Sequence, residues 1–477
     1  MFRVVHVVAG RYLVCRLINL SKKGTCATCL QHAAVHALCL LGARPMLEYD
    51  IILFGVTGFT GKLALEYLLE KNYPGLRFGC CARNAAKAQQ VVDAVCQQLA
   101  GRTGKPVEAV KALAPAKIEL ADLVCSSPAE EEALRCIVKK AKVCITTAGP
   151  FEKYGQTLVK LCAEEGVHYA DITGESDFFR LMVDLHDETA RKSGAAIVIH
   201  CGNDCIPWDL SVFELNRYAQ TKGAELISAS TYCDYKPGTG MSGGTLTTAI
   251  YQLNKRRGKR SGTTDFDPLV RAADGTKSMF SVINSSPKKE EYFREFNRHG
   301  GPWIMAPVMV NCIRRSNALL GYNSAFAYGD CMLRDPSLLQ WIRDKWQATT
   351  TAAAILAPSL FLRFMPAPGE GPTREFMDSG WLVLHSRAVM KDKVSQKETT
   401  LHAKYTFHED VSYLATAKFL VEAGRLLLEK SAAGEGDAGV TTPAVAFGSQ
   451  MVERLDQATG AQLEITEAFD VTTRSAL

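Results

Sequence analysis

Short, nearly continuous apolar runs alternate along the first half of the chain with segments whose apolar residues recur every three to four positions. The first run, Tyr49-Asp50-Ile51-Ile52-Leu53-Phe54, reads as a parallel strand covered on both faces. It feeds into Gly55-Val56-Thr57-Gly58-Phe59-Thr60-Gly61. The stretch 60–72 then spaces Leu63, Leu65, Leu68 and Leu69 for burial on a helix, until Asn72-Tyr73-Pro74-Gly75 stops it. A second strand is expected at 76–82 and a helix at 84–99. Further strands are expected at 118–123, 142–147, 168–173 and 195–200, with helical patterns between them. This alternation predicts an α/β fold with right-handed crossovers, a doubly wound parallel sheet, and ligands outside the carboxyl ends of its strands.

The glycines add chemistry to the pattern. Gly55, Gly58 and Gly61 stand three apart between a strand and a helix, the Rossmann-type arrangement for a dinucleotide. The turn needs a residue without Cβ, a pyrophosphate needs close approach to backbone N–H groups, and the helix N-terminus offers partial positive charge. Thr57 and Thr60 bring hydroxyls, and Phe59 opens the helix; the alternative is a plain turn. About twenty residues past the glycines, where an acid would bind the free ribose of NAD, stands Arg83. A guanidinium grips a 2′-phosphate through charge-assisted hydrogen bonds, so NADP is expected in preference to NAD. After the fourth strand, Ala148-Gly149-Pro150-Phe151 would let backbone approach the nicotinamide or pyrophosphate.

Hydride transfer is the cofactor's reaction, and the protein has to orient a substrate and move one proton. Tyr154, His168, Glu175 and Asp204 fall near predicted strand ends. Of these, Glu175 and Asp204 are the expected catalytic acids, with packed, hydrogen-bonded side chains as the alternative.

Composition narrows the remaining classes. A chain of 477 residues predicts two or three domains, and 47% hydrophobic with 22% charged residues is a globular balance. A net charge of +5 spread along the chain gives no electrostatic footprint for nucleic acid. Sixteen cysteines scattered through predicted strands and helices read as reduced thiols. The lone CxxC, Cys26 to Cys29, lacks a second pair, so no metal site is expected.

These motifs together resemble the saccharopine dehydrogenase-like oxidoreductase family. The likeness runs from about Tyr49 to Leu463. It takes in the glycine turn, Ala148-Gly149-Pro150-Phe151 with Tyr154-Gly155, and His168-Tyr169-Ala170-Asp171-Ile172-Thr173-Gly174-Glu175. It continues through Cys201-Gly202-Asn203-Asp204-Cys205-Ile206-Pro207, Ile313-Arg314-Arg315-Ser316-Asn317-Ala318-Leu319, Gly369-Glu370-Gly371-Pro372-Thr373 and Thr442-Pro443-Ala444. Asn203 and Cys205 stand where the family more often has Phe and Ser. The resemblance implies an NADP-binding Rossmann domain, an inserted α+β second domain containing an antiparallel sheet, and a C-terminal return to the first domain. On that basis 1–46 is an extension, 47–210 the dinucleotide domain, 211–410 the second domain for substrate or dimerisation, and 411–477 the return and tail. The implied reaction is NADPH-dependent reduction of a carbonyl, imine or enoyl group on a small-molecule or lipidic substrate, with relatives acting in trans on glycolipid precursors. The alternative is a dinucleotide-binding module without turnover at membranes or lipid droplets.

Three segments bear on location. Residues 1–46 contain no Asp or Glu but several Arg and Lys, the balance of a mitochondrial-type transit peptide; the alternative is translation from Met46. The segment 346–362 carries no charge but holds Pro358 and falls short of a membrane span, so it is expected to be buried, or to dock on lipid or on a second copy in a homodimer. The terminus Ser475-Ala476-Leu477 approaches a peroxisomal address without its central base. The expected setting is intracellular: cytoplasmic or associated with membranes or lipid droplets, with organelle import as the alternative.

Overall fold

Burial on both faces turns the early apolar runs into the middle of a parallel sheet. In the computed structural model, which describes residues 47–236, 242–254, 266–334, 349, 366–367 and 369–468, these strands are β1 (Tyr49–Phe54), β2 (Phe78–Ala82), β3 (Ile118–Leu120), β4 (Ala141–Thr146), β5 (His168–Asp171) and β6 (Ala196–Val198). They lie in the order β6-β5-β4-β1-β2-β3, and every pairing is parallel. Ile51 and Leu53 face helices Phe59–Lys71 and Ala85–Thr103. Ile52 and Phe54 point the opposite way, toward helices Pro128–Val138, Gln156–Glu165 and Ser176–Ser193. One six-residue strand thus feeds two cores, which is why its sequence does not alternate.

The second half builds a mixed sheet. Its strands are β7 (Ala224–Lys236), β8 (Ser281–Asn284), β9 (Glu291–Phe293), β10 (Arg298–Gly301), β11 (Ala325–Arg334), β12 (Trp381–Asp392) and β13 (Glu398–Phe407). β12 pairs antiparallel with both β7 and β13, and β10 with both β9 and β11. β11, however, runs parallel to β7 and to β8, so the sheet is not antiparallel throughout. The helix Ala306–Leu320 lies in the chain between β10 and β11. Along β12 buried and less buried residues alternate, as expected for a sheet with one face on a core. That face packs on the helix Ile206–Thr221.

The chain then comes back. Helix Thr416–Ala432 lies against the first sheet so closely that a Cβ on Gly424 would sit 2.8 Å from Ile145 Cγ2. β14 (Gly439–Thr441) adds a seventh parallel strand beside β6, and β15 (Gln462–Ala468) crosses over to pair with β13. A buried polar knot holds β14. Arg315 donates to Val440 O at 2.9 and 3.1 Å and to Arg271 O, and pairs with Asp187 at 3.0 Å. Next to it, Ser316 Oγ lies 2.6 Å from both Asp209 Oδ1 and Thr442 Oγ1, and Ala444 N donates to Asp209 Oδ2 at 2.9 Å. Two of the resembling motifs, around Arg315 and Thr442, therefore meet in one knot.

All cysteines among the described residues are free, and all but Cys125 are buried. No group of three or more metal-binding side chains occurs among the described residues, and no helix there is long and apolar enough to cross a membrane. The 1–46 extension with Cys26 and Cys29, the apolar segment 346–362 apart from Thr349, and Ser475-Ala476-Leu477 lie outside the described residues.

Candidate functional site at the carboxyl ends of the first sheet

The glycine turn has the geometry its spacing predicts. Gly55 takes φ +85°, and a Cβ there would meet Ala148 N at 2.9 Å; a Cβ on Gly61 would overlap Gly55 O. Gly58 N donates to Gly55 O at 2.9 Å, and the helix starts with Lys62 N on Gly58 O. No side chain caps that helix, so the first-turn amides of Phe59, Thr60 and Gly61 have no intrahelical acceptor. An anion is the partner such an end attracts. Around this turn, Lys62 Nζ donates to Gly369 O at 2.8 Å, and a Cβ on Gly369 would stand 2.8 Å from Thr57 O. The ring of Tyr413 meets Phe59 edge-on at 5.2 Å.

The loop after β4 is stitched to the same turn. Thr147 N donates to Phe54 O at 3.1 Å, Thr147 Oγ1 to Gly55 O at 3.2 Å, and Ala148 N to Thr146 Oγ1 at 3.1 Å. Beyond Ala148 and Gly149, Pro150 follows a cis peptide and caps the short helix Phe151–Tyr154. Its amides are held from across the loop: Phe151 N donates to Glu175 Oε1 at 2.7 Å and Glu152 N to Glu175 Oε2 at 3.0 Å. Gln252 Nε2 donates to the same Oε2 at 2.9 Å. Glu175 is buried, which raises its pKa, while the two amides act to lower it.

Asp204 differs from Glu175 in having no hydrogen-bond or ion-pair partner among the described residues. It is half-buried at the start of the turn leading into Ile206–Thr221, and burial pushes its carboxyl up to about 6. Its Oδ2 lies 3.0 Å from where a Gly174 Cβ would be, and Met305 Cε is equally close to that point. The charge of Asp204 is felt by Tyr235 at the end of β7, whose ring meets Trp303 edge-on at 5.5 Å. Trp303 is buried, and its indole nitrogen finds no acceptor. Second-domain side chains thus come against the loops after β5 and β6.

The other candidates separate. Arg83 is exposed at the end of β2 with its guanidinium 5.6 Å from the Tyr154 ring centroid, and the following helix is capped by Asn84, whose side chain accepts from Lys87 N. Arg83 and Tyr154 therefore flank one edge of the site. His168 opens β5, at the amino end of the strand, and accepts from Ala196 N at 3.1 Å; burial keeps its pKa low. It lies at the opposite end of the sheet from the glycine turn. Asp171, at the carboxyl end of β5, is fully buried and accepts from Thr173 N, His200 N and Tyr169 OH. Burial outweighs these bonds and lifts its pKa to about 7, while its carboxyl braces the loops after β5 and β6.

The donor set fits a phosphorylated dinucleotide: a glycine cradle, an uncapped helix end and an exposed arginine at the end of β2. Residues 51–198, which run from β1 through β6, match the family described as saccharopine dehydrogenase NADP binding domain. A trans-acting enoyl reductase of Mycobacterium tuberculosis is 30% identical over 437 residues, covering 86% of this chain and 96% of that protein. The chain belongs to the saccharopine dehydrogenase-like oxidoreductase family. A trans-acting enoyl reductase of Mycobacterium leprae is 28% identical over 441 residues, with 86% and 96% covered. Among solved structures, apo saccharopine dehydrogenase (L-Glu forming) of Saccharomyces cerevisiae superposes with a TM-score of 0.51 over 88% of this chain and 100% of that one. At 12% identity this is a likeness of fold. The family match contains the glycine turn, Arg83, the 148–151 loop and Glu175; Asp204 and the residues facing it lie beyond its end.

Proposed function

We propose that the protein is an NADPH-dependent reductase of an uncharged, largely apolar acceptor, an enoyl, carbonyl or imine group, and that Asp204 is its proton donor. The observation that carries this reading is the state of Asp204: a half-buried carboxyl without a partner among the described residues, held near 6, beside the loops that would border the nicotinamide. Reduced nicotinamide supplies a hydride when bound. The substrate atom that gains the displaced electron pair needs a proton, and a carboxylic acid with a pKa near neutrality is suited to give it. Met305 Cε comes as near Gly174 as Asp204 does, Tyr235 feels the Asp204 charge and packs on Trp303, and no cation among the described residues pairs with Asp204. Apolar and aromatic neighbours without a cation favour an apolar acceptor over an amino acid, in keeping with the names of the mycobacterial relatives.

The test is NADPH oxidation by the purified full-length protein over enoyl thioesters, ketones and imines. Turnover of at least one class is expected. Tight NADPH binding with no turnover on any of them would favour the reading of a binding module instead. Cofactor choice is tested separately. Arg83→Gln removes the charged partner of the 2′-phosphate and is expected to weaken NADPH by roughly 10- to 150-fold while leaving NADH unchanged, since a hydrogen bond to a charged group contributes about 1.5–3 kcal/mol. Titration by nucleotide fluorescence checks this; equal losses for both nucleotides would remove Arg83 from the ribose site.

A further inference from the structure

Helix Gly243–Asn254 of the second domain reaches the 148–151 loop directly and the glycine turn through the residues packed on it. At its beginning, Gly243 N donates to Glu370 O at 3.0 Å, in the loop whose Gly369 accepts from Lys62, and Ser242 N donates at 2.8 Å to Tyr413 OH, whose ring lies on Phe59. Further along, Thr248 and Gln252 stand four residues apart and so share one face. Thr248 Oγ1 lies 3.4 Å from where a Gly149 Cβ would be, and Gln252 donates to Glu175. Glu175 is therefore used three times over, by two loop amides and by this helix.

We propose that Glu175 is a positioning residue, and that Gln252 makes it a latch through which the second domain senses a dinucleotide on the 148–151 loop. The proposal rests on the reading that the dinucleotide lies along that loop and the glycine turn. A carboxylate that accepts two amides fixes the loop in the form that the cofactor meets. The amide of Gln252 adds a third donor to the same group, so docking of the helix stabilises the held loop. By linkage, a cofactor that needs the held loop must stabilise the docked helix to the same extent.

The experiment measures NADPH affinity and amide hydrogen exchange in the full-length protein and in two variants, Gln252→Ala and Glu175→Gln. In the wild type, saturating NADPH is expected to slow exchange in 148–155 and also in 243–254. In Gln252→Ala the affinity falls by about 5-fold or more and the protection of 243–254 by NADPH is lost, while that of 148–155 persists. Glu175→Gln keeps only one acceptor oxygen for two amides, so protection is expected to fall in both segments. The latch is overturned if Gln252→Ala binds NADPH as the wild type does and its helix is still protected. It is also overturned if Glu175→Gln abolishes turnover with NADPH affinity and protection intact, which would make Glu175 the acid. Absence of NADPH binding by the wild type would sink the dinucleotide reading itself, and the latch with it. Gln252 is only partly buried and, among the described residues, its side chain makes one hydrogen bond, so its alanine variant should fold even where a Glu175 variant does not.

Discussion

Asp204→Asn is expected to lower turnover by roughly 100- to 10,000-fold while NADPH binding stays as it is, the range lost when a positioned general acid is removed. The substitution is nearly isosteric and breaks no hydrogen bond or ion pair among the described residues, so the fold has no reason to change. What it removes is a transferable proton. The pH profile separates this role from a structural one. With its carboxyl pushed up to about 6 by burial, Asp204 is protonated below that pH, and the fraction protonated falls tenfold for each unit above it. Wild-type turnover should therefore be flat below about pH 6 and decline above it. The Asn variant should be slow and flat, so the gap between the two narrows as pH rises. A variant that retained the wild-type slope would show that another group titrates.

The same residues explain how far the fold and the site can be read without coordinates. β1 and the helix after the glycine turn could be read almost to the residue because strand, turn and helix are consecutive and their signals are local. The strand expected at 195–200 ends at Val198, and by His200 the chain has turned away, with φ +70° and its backbone N–H on Asp171. β14 could not be seen at all: Gly439-Val440-Thr441 is too short to carry a period, and it is a strand because β6 offers an open edge and Arg315 holds Val440. Asp204 and Glu175 were both visible as acids after predicted strands. Only the arrangement of the loops distinguishes them, since Glu175 meets two amides and Asp204 meets none. His168 shows the cost of reading position coarsely, for the ligand face lies at the other end of its strand. Tyr235, Gln252, Trp303 and Met305 come from later in the chain and had no local pattern to announce them.

Arg315→Met is expected to destabilise the protein by roughly 3–5 kcal/mol, the usual cost of breaking a buried charge pair by removing one partner. Arg315 is fully buried, and its guanidinium serves Asp187, Val440 O and Arg271 O together. Methionine fills much of the same volume but satisfies none of those acceptors. Asp187 would keep Val440 N at 2.8 Å and Arg191 at 3.3 Å, so its charge is not wholly stranded, but two backbone carbonyls would be buried without donors. The loss should appear as a lower urea midpoint, and hydrogen exchange should rise first in 439–441, where the strand depends on this contact. Lys192→Ala provides the contrast: its ion pair with Glu188 is exposed on both sides, and removing it should leave the midpoint in place. If Arg315→Met unfolded at the wild-type midpoint, the knot would not be what keeps β14 in the first sheet. Pairing with β6 and the bonds that Asp209 accepts from Ala444 N and Ser316 Oγ would then suffice to bring the chain back.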